Sequence, residues 1–304
     1  KKMNLFDNPD NFRKIHKERI PNIGGSIFVI NALILLTFYN LKLFPLNTNL
    51  IFILLFSMIF FIILFFDDKK NLNPILKLII SAIVFYISVI FNNELLLTSI
   101  NFISLELSIS FGKYSIFVSI LCVLLLLNAL NMFDGINLQS GLYMLTIFFV
   151  FVFYDINKLF SLLMIFSLIF FLYLNYKNKL FLGNAGIWFC SFYISGSIIS
   201  SYNQNLISVE MVLILLLFPG MDMLRIFIQR ISKKKNPFKP DKTHIHHILL
   251  KSLNDVQTAL IIFFCYITPI ILFHFTYNFL ISLIILVSLY FIIYVHFNYF
   301  KFKK

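Results

Sequence analysis

The chain reads as long apolar runs broken at short intervals by polar and basic clusters. A helix needs about 20 apolar residues to cross a bilayer. Ten runs approach that length: 24–46, 49–66, 75–91, 114–130, 138–154, 158–176, 185–202, 206–221, 256–276 and 278–298. None alternates apolar and polar residues as the strands of a membrane barrel do. Backbone groups in lipid must be satisfied within the segment, so the runs are read as helices. The pattern predicts an all-α, polytopic integral membrane helix bundle with about ten spans here. The segment 92–112 alternates weakly, carries Glu94 and Glu106, and predicts a hairpin on the outer side.

Composition sharpens the picture. Hydrophobic residues make up 60% of the 304, charged residues only 12%, and Phe alone occurs 40 times. An average soluble domain carries about 25% charge, and its surface needs polar cover. A soluble enzyme, a disordered chain and a secreted disulfide scaffold are therefore excluded. Cys122, Cys190 and Cys265 all sit inside apolar runs and read as small packing residues.

The formal charge of +12 would point to nucleic acid in a soluble protein. Its distribution says otherwise. With residues 1–23 on one side, the segments 67–74, 131–137, 177–184, 222–255 and 299–304 lie on that side too. Counting Lys77 with them, 22 of the 25 Lys and Arg fall there, and only Lys42, Lys113 and Lys158 lie opposite. The positive-inside rule makes the basic side cytoplasmic. The expected organisation is one transmembrane domain, 1–304, with loops 1–23, 67–74, 131–137, 177–184 and 222–255 forming its working face, and no nucleic acid as partner.

Acidic residues are costly near a membrane, and nine of the 13 lie on the basic side. Asp67 and Asp68 end the second run beside Lys69 and Lys70. Helix-end solvation explains them, although carboxylates at a helix C-terminus oppose its dipole. Adjacent carboxylates also suit a hard cation, or one metal ligand beside one base. In NALNMFDGINLQSG, Asn128, Asn131 and Asp134 share a helical face and resemble the polar lining of a cleft. In LGNAG, small residues and Asn184 open the seventh run, where helix N–H groups favour phosphate or carbonyl oxygen. Asp222, Arg225, Gln229 and Arg230 fall on one face of a helix that continues past the eighth run. Lys233, Lys234 and Lys235 read as positive-inside charge. The tract Asp241, His244, His246, His247 could hold zinc. It has no Cys partners and basic neighbours, which suits a polyphosphate better. His274 and His296 read as packed or interfacial. Carboxylates for Mg²⁺ beside a cationic loop point to phosphoryl transfer between a soluble nucleotide-linked donor and a lipid acceptor. A polytopic transporter is the rival from another class, but it needs polar groups across the midplane.

Five segments together, DNPDNFRKIHKERIPNIGG, DDKKNLNPILK, NALNMFDG, FLGNAG and NPFKPDKTHIHHIL, carry a resemblance over nearly the whole chain. In this order the sequence resembles the polyprenyl-phosphate N-acetylhexosamine-1-phosphate transferases, the WecA/MraY superfamily of glycosyltransferase family 4. The HIHH form is closer to the WecA branch. The resemblance implies about eleven spans, so that one would precede residue 1. It implies a bacterial inner-membrane enzyme with a cytoplasmic site, starting a lipid-linked surface glycan. That enzyme moves a sugar-1-phosphate from a UDP-N-acetylhexosamine to undecaprenyl phosphate, releases UMP, and uses Mg²⁺, with Mn²⁺ as a substitute. A homodimer is the candidate assembly. By carry-over, Asp67, Asp68 and Asp134 are catalytic, and Asp222 and Asp68 ligate metal. Asn131, Asn184, Arg230, His244, His246 and His247 bind the nucleotide-sugar. Lys77 and Asp67 serve the lipid phosphate. One departure stands out: many relatives read DGIDGL where this chain reads DGINLQSG, so an Asp is replaced by Asn137, and an inactive relative becomes an alternative.

Overall fold

The computed structural model describes residues 6–7, 19–70, 73–236 and 242–300, without the side chains of 7, 68–70 and 300. Ten long helices occupy the ten expected runs. They are α1 (Ser26–Asn40), α2 (Thr48–Lys70), α3 (Pro74–Phe91), α4 (Ser115–Phe133), α5 (Gln139–Phe153), α6 (Lys158–Tyr176), α7 (Gly183–Asn203), α8 (Val209–Ser232), then, after the one-turn helix α9 (Ile245–Leu249), α10 (Asp255–Thr276) and α11 (Phe279–Val295). Seven of the described helices are long and apolar enough to cross a membrane, while α1 and α5 are shorter apolar helices. The protein is a multi-pass all-α membrane bundle.

Local chemistry sets the ends. Asn73 caps α3 by accepting from Ile75 N at 3.0 Å, with Pro74 opening the first turn. Ser208 caps α8, Asn278 caps α11, and Asn254 and Gln257 form a reciprocal capping box at α10. One boundary differs from the sequence expectation, and one extension agrees with it. The first run, taken to 46, ends as helix at Asn40, where Lys42 turns with φ +58° and Pro45 follows. The eighth run, taken to 221, continues as helix to Ser232, because its charged residues lie along one side of an unbroken α8.

Helix α7 is the axis. Eighteen of its 21 residues are buried, and Ser, Gly and aromatic residues let its neighbours approach closely. It packs against α1, α2 and α4; α5 and α6 pair beside them; α8, α10 and α11 form the other wall. The exposed large residues are Phe, Ile and Leu along the outer helix faces, including Phe117, Phe166 and Ile284, as a lipid-facing surface requires. Buried polar groups pair between helices. Asn31 donates to Ser167 Oγ at 2.7 Å across α1 and α6, and Tyr143 donates to the Leu215 carbonyl at 2.7 Å across α5 and α8.

The expected hairpin is present. Two residues near the start, Phe6–Asp7 (β1), pair with Ile20–Pro21 (β2). Ser99–Phe102 (β3) pairs antiparallel with Leu107–Ser110 (β4), with Phe102 opposite Leu107. The β3–β4 hairpin lies at the bundle end opposite the Lys/Arg-rich loops. Ser104 donates to the buried Glu210 through its N–H at 2.9 Å and its hydroxyl at 3.1 Å, and Asn101 N–H donates to Tyr202 at 2.9 Å. All three cysteines are free; Cys190 and Cys265 are buried and Cys122 is exposed.

Candidate active site at the basic end of the bundle

Two of the glycine-bearing motifs meet first. Phe181 N–H donates to the Pro21 carbonyl at 2.9 Å, Gly24 N–H to Phe181 at 2.8 Å, and Gly25 N–H to Leu182 at 2.9 Å. This strand-like pairing presses Gly25 onto Gly186: a Cβ on Gly25 would lie 2.1 Å from the Gly186 Cα. Gly183, at φ +79°, packs on Asn22, and a Cβ there would lie 2.7 Å from the Asn22 carbonyl oxygen. Glycine is thus needed here both for close approach and for a left-handed backbone. Asn184 follows, exposed in the first turn of α7.

Helix α2 descends antiparallel to α7. Phe56 and Phe60 lie 6.4 and 4.7 Å from Phe192, and Phe60 lies 6.3 Å from Trp188. Two further turns bring Asp67 level with the start of α7. Asp67 is buried at 1% exposure and pairs with Lys77 of α3 at 2.5 Å. Both residues were expected at the lipid phosphate; they stand together, as an ion pair. The side chain of Asp68 and the whole of Asp241 lie outside the described residues.

A third cluster joins the acidic loop to the histidine loop. Asp134 ends α4 and accepts from the Ser140 hydroxyl. Burial of its carboxyl pushes its pKa up to about 6, and the Ser140 bond pulls it back. The residue as a whole is exposed, so water limits that rise. Next to it, Gly135 is covered by His246: a Cβ on Gly135 would lie 2.1 Å from His246 Nε2. His246 is 1% exposed, stacks parallel on His244 at 5.3 Å and lies 4.3 Å from His247. The three histidines are therefore one cluster against the Asp134–Gly135 turn, with His244 and His246 stacked and His247 tilted to both. Asn131, one turn back on α4, is half-buried, and Asn128 is bonded to its own helix through the Leu124 carbonyl at 2.6 Å.

The histidine loop is anchored on α8. Asp222, 3% exposed, accepts from Arg225 Nη2 at 2.7 Å, from Tyr290 at 2.9 Å and from Ile245 N–H at 3.2 Å, and faces His244 Nδ1 at 2.9 Å. Arg230 is buried on the same side of α8 as Asp222, whereas Lys233, Lys234 and Lys235 are exposed. His274 packs edge-on against Phe153 at 4.3 Å, and His296 is exposed at the end of α11.

Asn137 has a different set of partners from the catalytic groups. Its Nδ2 donates to Asn178 at 2.6 Å and its Oδ1 accepts from Asn175 at 3.4 Å. Asn175, buried at the end of α6, also accepts from Leu138 N–H at 2.6 Å and donates to the Leu180 carbonyl at 2.9 Å. This amide chain ties the 134–138 turn to the segment that pairs with Pro21. Residues that sequence reasoning passed over are Tyr290, Asn175, Asn178 and Ser140. Tyr290 had one faint signal, an aromatic pair four residues apart (Tyr290 and Tyr294) that faces Arg225.

The described carboxylates differ in fitness for a divalent cation. Asp222 is filled by donors, one of them a guanidinium. Asp67 is paired with Lys77. Asp134 is exposed and meets one hydroxyl, which leaves it the open position a hard cation needs. Among the described residues no three His, Cys, Asp or Glu gather to hold a metal ion.

Comparison with known proteins gives the family. The undecaprenyl-phosphate alpha-N-acetylglucosaminyl 1-phosphate transferase of Escherichia coli strain K12 is 28% identical over 265 residues, covering 83% of this chain and 71% of that protein. The protein of the same description from Thermotoga maritima is 28% identical over 264 residues, covering 86% of this chain and 78% of its own length. That from Yersinia pestis is 27% identical over 266 residues. The family model described as glycosyl transferase family 4 matches residues 50–202, which spans α2 to α7 and so includes Asp67, Lys77, Asp134 and Asn184, and the chain belongs to that family.

Proposed function

We propose that this protein transfers N-acetylhexosamine-1-phosphate from a UDP-sugar to undecaprenyl phosphate and releases UMP. The site would face the cytoplasm at a bacterial inner membrane, with Mg²⁺ as cofactor. The relatives' descriptions support the lipid acceptor and favour N-acetylglucosamine as the sugar. The observation that carries the reading is the contact between Gly135 and His246, which sets a carboxylate turn against a histidine stack at the basic end.

In the reaction, an oxygen of the polyprenyl phosphate attacks the sugar-bearing phosphorus of the donor. A new P–O–P linkage to the lipid forms as the one to UMP breaks, and UMP leaves with the bonding pair. The acceptor is already a workable nucleophile; the obstacle is repulsion between two anions. His244, His246, His247 and Arg230 would hold the donor diphosphate and offset its charge. Lys77 would steady the lipid phosphate, with Asp67 fixing the ammonium. Asp134 and Asp68 would hold Mg²⁺, which when bound lowers the charge of the diphosphate. Holding both partners at the membrane edge removes the entropic cost of their encounter.

Purified protein with undecaprenyl phosphate, Mg²⁺ and a panel of UDP-sugars tests this by UMP release and by the lipid product. UMP release that needs the lipid and one UDP-N-acetylhexosamine is expected. A folded protein that binds UDP-sugar but releases no UMP with any donor would overturn the transferase reading.

A further inference from the structure

The carboxylate of Asp222 is buried and engaged on both oxygens. Oδ1 accepts three donors, from Arg225 at 2.7 Å, Tyr290 at 2.9 Å and Ile245 N–H at 3.2 Å, and Oδ2 faces the His244 ring at 2.9 Å. A metal ligand must turn a free lone pair to the ion, and a guanidinium on the same oxygen repels a second cation. What this donor set does suit is grip. Asp222 binds two successive residues of the loop, His244 by its side chain and Ile245 by its backbone. Arg225 binds a third, the Thr243 carbonyl, at 2.8 Å. The guanidinium is itself fixed by α11: Nε donates to Tyr290 at 2.7 Å, and Cζ lies 4.6 Å from the centroid of the Tyr294 ring. Facing Arg225, the carboxylate only accepts, so His244 Nδ1 carries a proton and the ring is held in one orientation. His246 stacks parallel on that ring, and the order passes on to the residue covering Gly135.

We propose that Asp222 is a positioning residue: with Arg225 and Tyr290 it presets the 243–247 loop as a rigid anion-binding element for the donor diphosphate, and it does not ligate the divalent cation. This rests on the transferase reading, and it departs from the metal role that resemblance implied for Asp222. The clamp is built from α8 and α11 and its contacts are all to the 243–245 segment, whereas Asp67 and Asp134 lie at the ends of α2 and α4, so its loss falls first on the loop that would hold the donor.

The test uses the full chain in detergent or nanodiscs, as wild type, Asp222→Asn and Tyr290→Phe. Three quantities are read: KM for the UDP-sugar against kcat, the Mg²⁺ concentration for half-maximal rate, and hydrogen exchange of the 243–247 amides without ligand. In Asp222→Asn, which breaks charge-assisted bonds, KM should rise by about tenfold or more. Tyr290→Phe removes one neutral donor, and KM should rise by about threefold. Half-saturation by Mg²⁺ should stay within about twofold in both, and exchange at 243–247 should quicken in both. A Mg²⁺ half-saturation raised by about tenfold, with exchange unchanged, would make Asp222 a metal ligand and overturn the proposal. Unchanged KM and exchange in Tyr290→Phe would overturn it as well, even if Asp222→Asn fails to fold. Should wild type release no UMP, the transferase reading falls, while the exchange comparison still decides whether Asp222 holds the loop.

Discussion

The sharpest constraint on the site is the absence of a side chain at Gly135. A Cβ there would sit 2.1 Å from His246 Nε2, 2.3 Å from Cε1 and 2.8 Å from Cδ2. Ordinary contact begins at 3.4 Å, so Gly135→Ala drives an overlap of about 1.3 Å into the flat of the ring. The ring has nowhere to retreat: it is 1% exposed, lies against His247 at 4.3 Å and stacks on His244, which Asp222 holds. Gly135 is not in a left-handed conformation, so the expected penalty is steric and not conformational. Overpacking a filled site costs about 1–3 kcal/mol. The strain falls on the loop that would hold the donor, and the same energy lost from the donor's transition state is about five- to 150-fold in kcat/KM. UMP release at varied donor concentration measures it, with Gly220→Ala as control, since a Cβ on Gly220 meets nothing within 4 Å. A Gly135→Ala enzyme within about twofold of wild type in kcat/KM would refute the apposition of the two loops.

Other consequences are as direct. Lys77→Met removes the ammonium 2.5 Å from the buried Asp67 carboxylate and should lower stability by about 3 kcal/mol in thermal or denaturant unfolding; adding Asp67→Asn should restore most of it without restoring turnover. Asn175→Ala leaves the Leu138 N–H without its side-chain acceptor, and Leu138 already holds φ +69°. The loss should be about 1–3 kcal/mol, with kcat falling as the Asp134 turn loosens. Burial raises the Asp134 carboxyl to about 6 in the metal-free protein, so it gains a proton towards acid pH, and a bound Mg²⁺ would pull that value down. A role that needs the charge makes turnover fall on the acid side. Because the Ser140 bond lowers that pKa, Ser140→Ala should move the acid limb of the pH–rate profile upward; a limb that stays put would separate it from Asp134.

The bundle was legible because ten apolar runs and a one-sided charge distribution both repeat, and each checks the other. Span ends were less so. Apolar content does not mark where α1 stops, since residues 41–46 stay mostly apolar after the helix has turned at Lys42. The extension of α8 past its apolar run was legible: Asp222, Arg225, Gln229 and Arg230 fall on one helical face, and Asp222 and Arg225 pair within the helix, so the backbone has no cause to break. The meeting of Gly135 with His246, and of Gly25 with Gly186, could not be read from either motif alone. Small residues announce close approach but not to what. Tyr290 was invisible because an aromatic in an apolar run is ordinarily packing; only Arg225 at 2.7 Å and Asp222 at 2.9 Å give its hydroxyl a task.

The same logic bears on Asn137, the position at which the resemblance marked a departure. An Asp can accept but not donate, whereas here the side chain does both, giving Nδ2 to Asn178 and taking a bond from Asn175. Its partners lie at the end of α6, and through Asn175 they reach Leu138 and Leu180. Position 137 thus works on the shape of the turn that carries Asp134. An amide at this place is what a chain of asparagines requires, since each link must pass from acceptor to donor. The replacement therefore does not by itself argue for lost chemistry. The carboxylate that faces the open side of the turn is Asp134, and it is present.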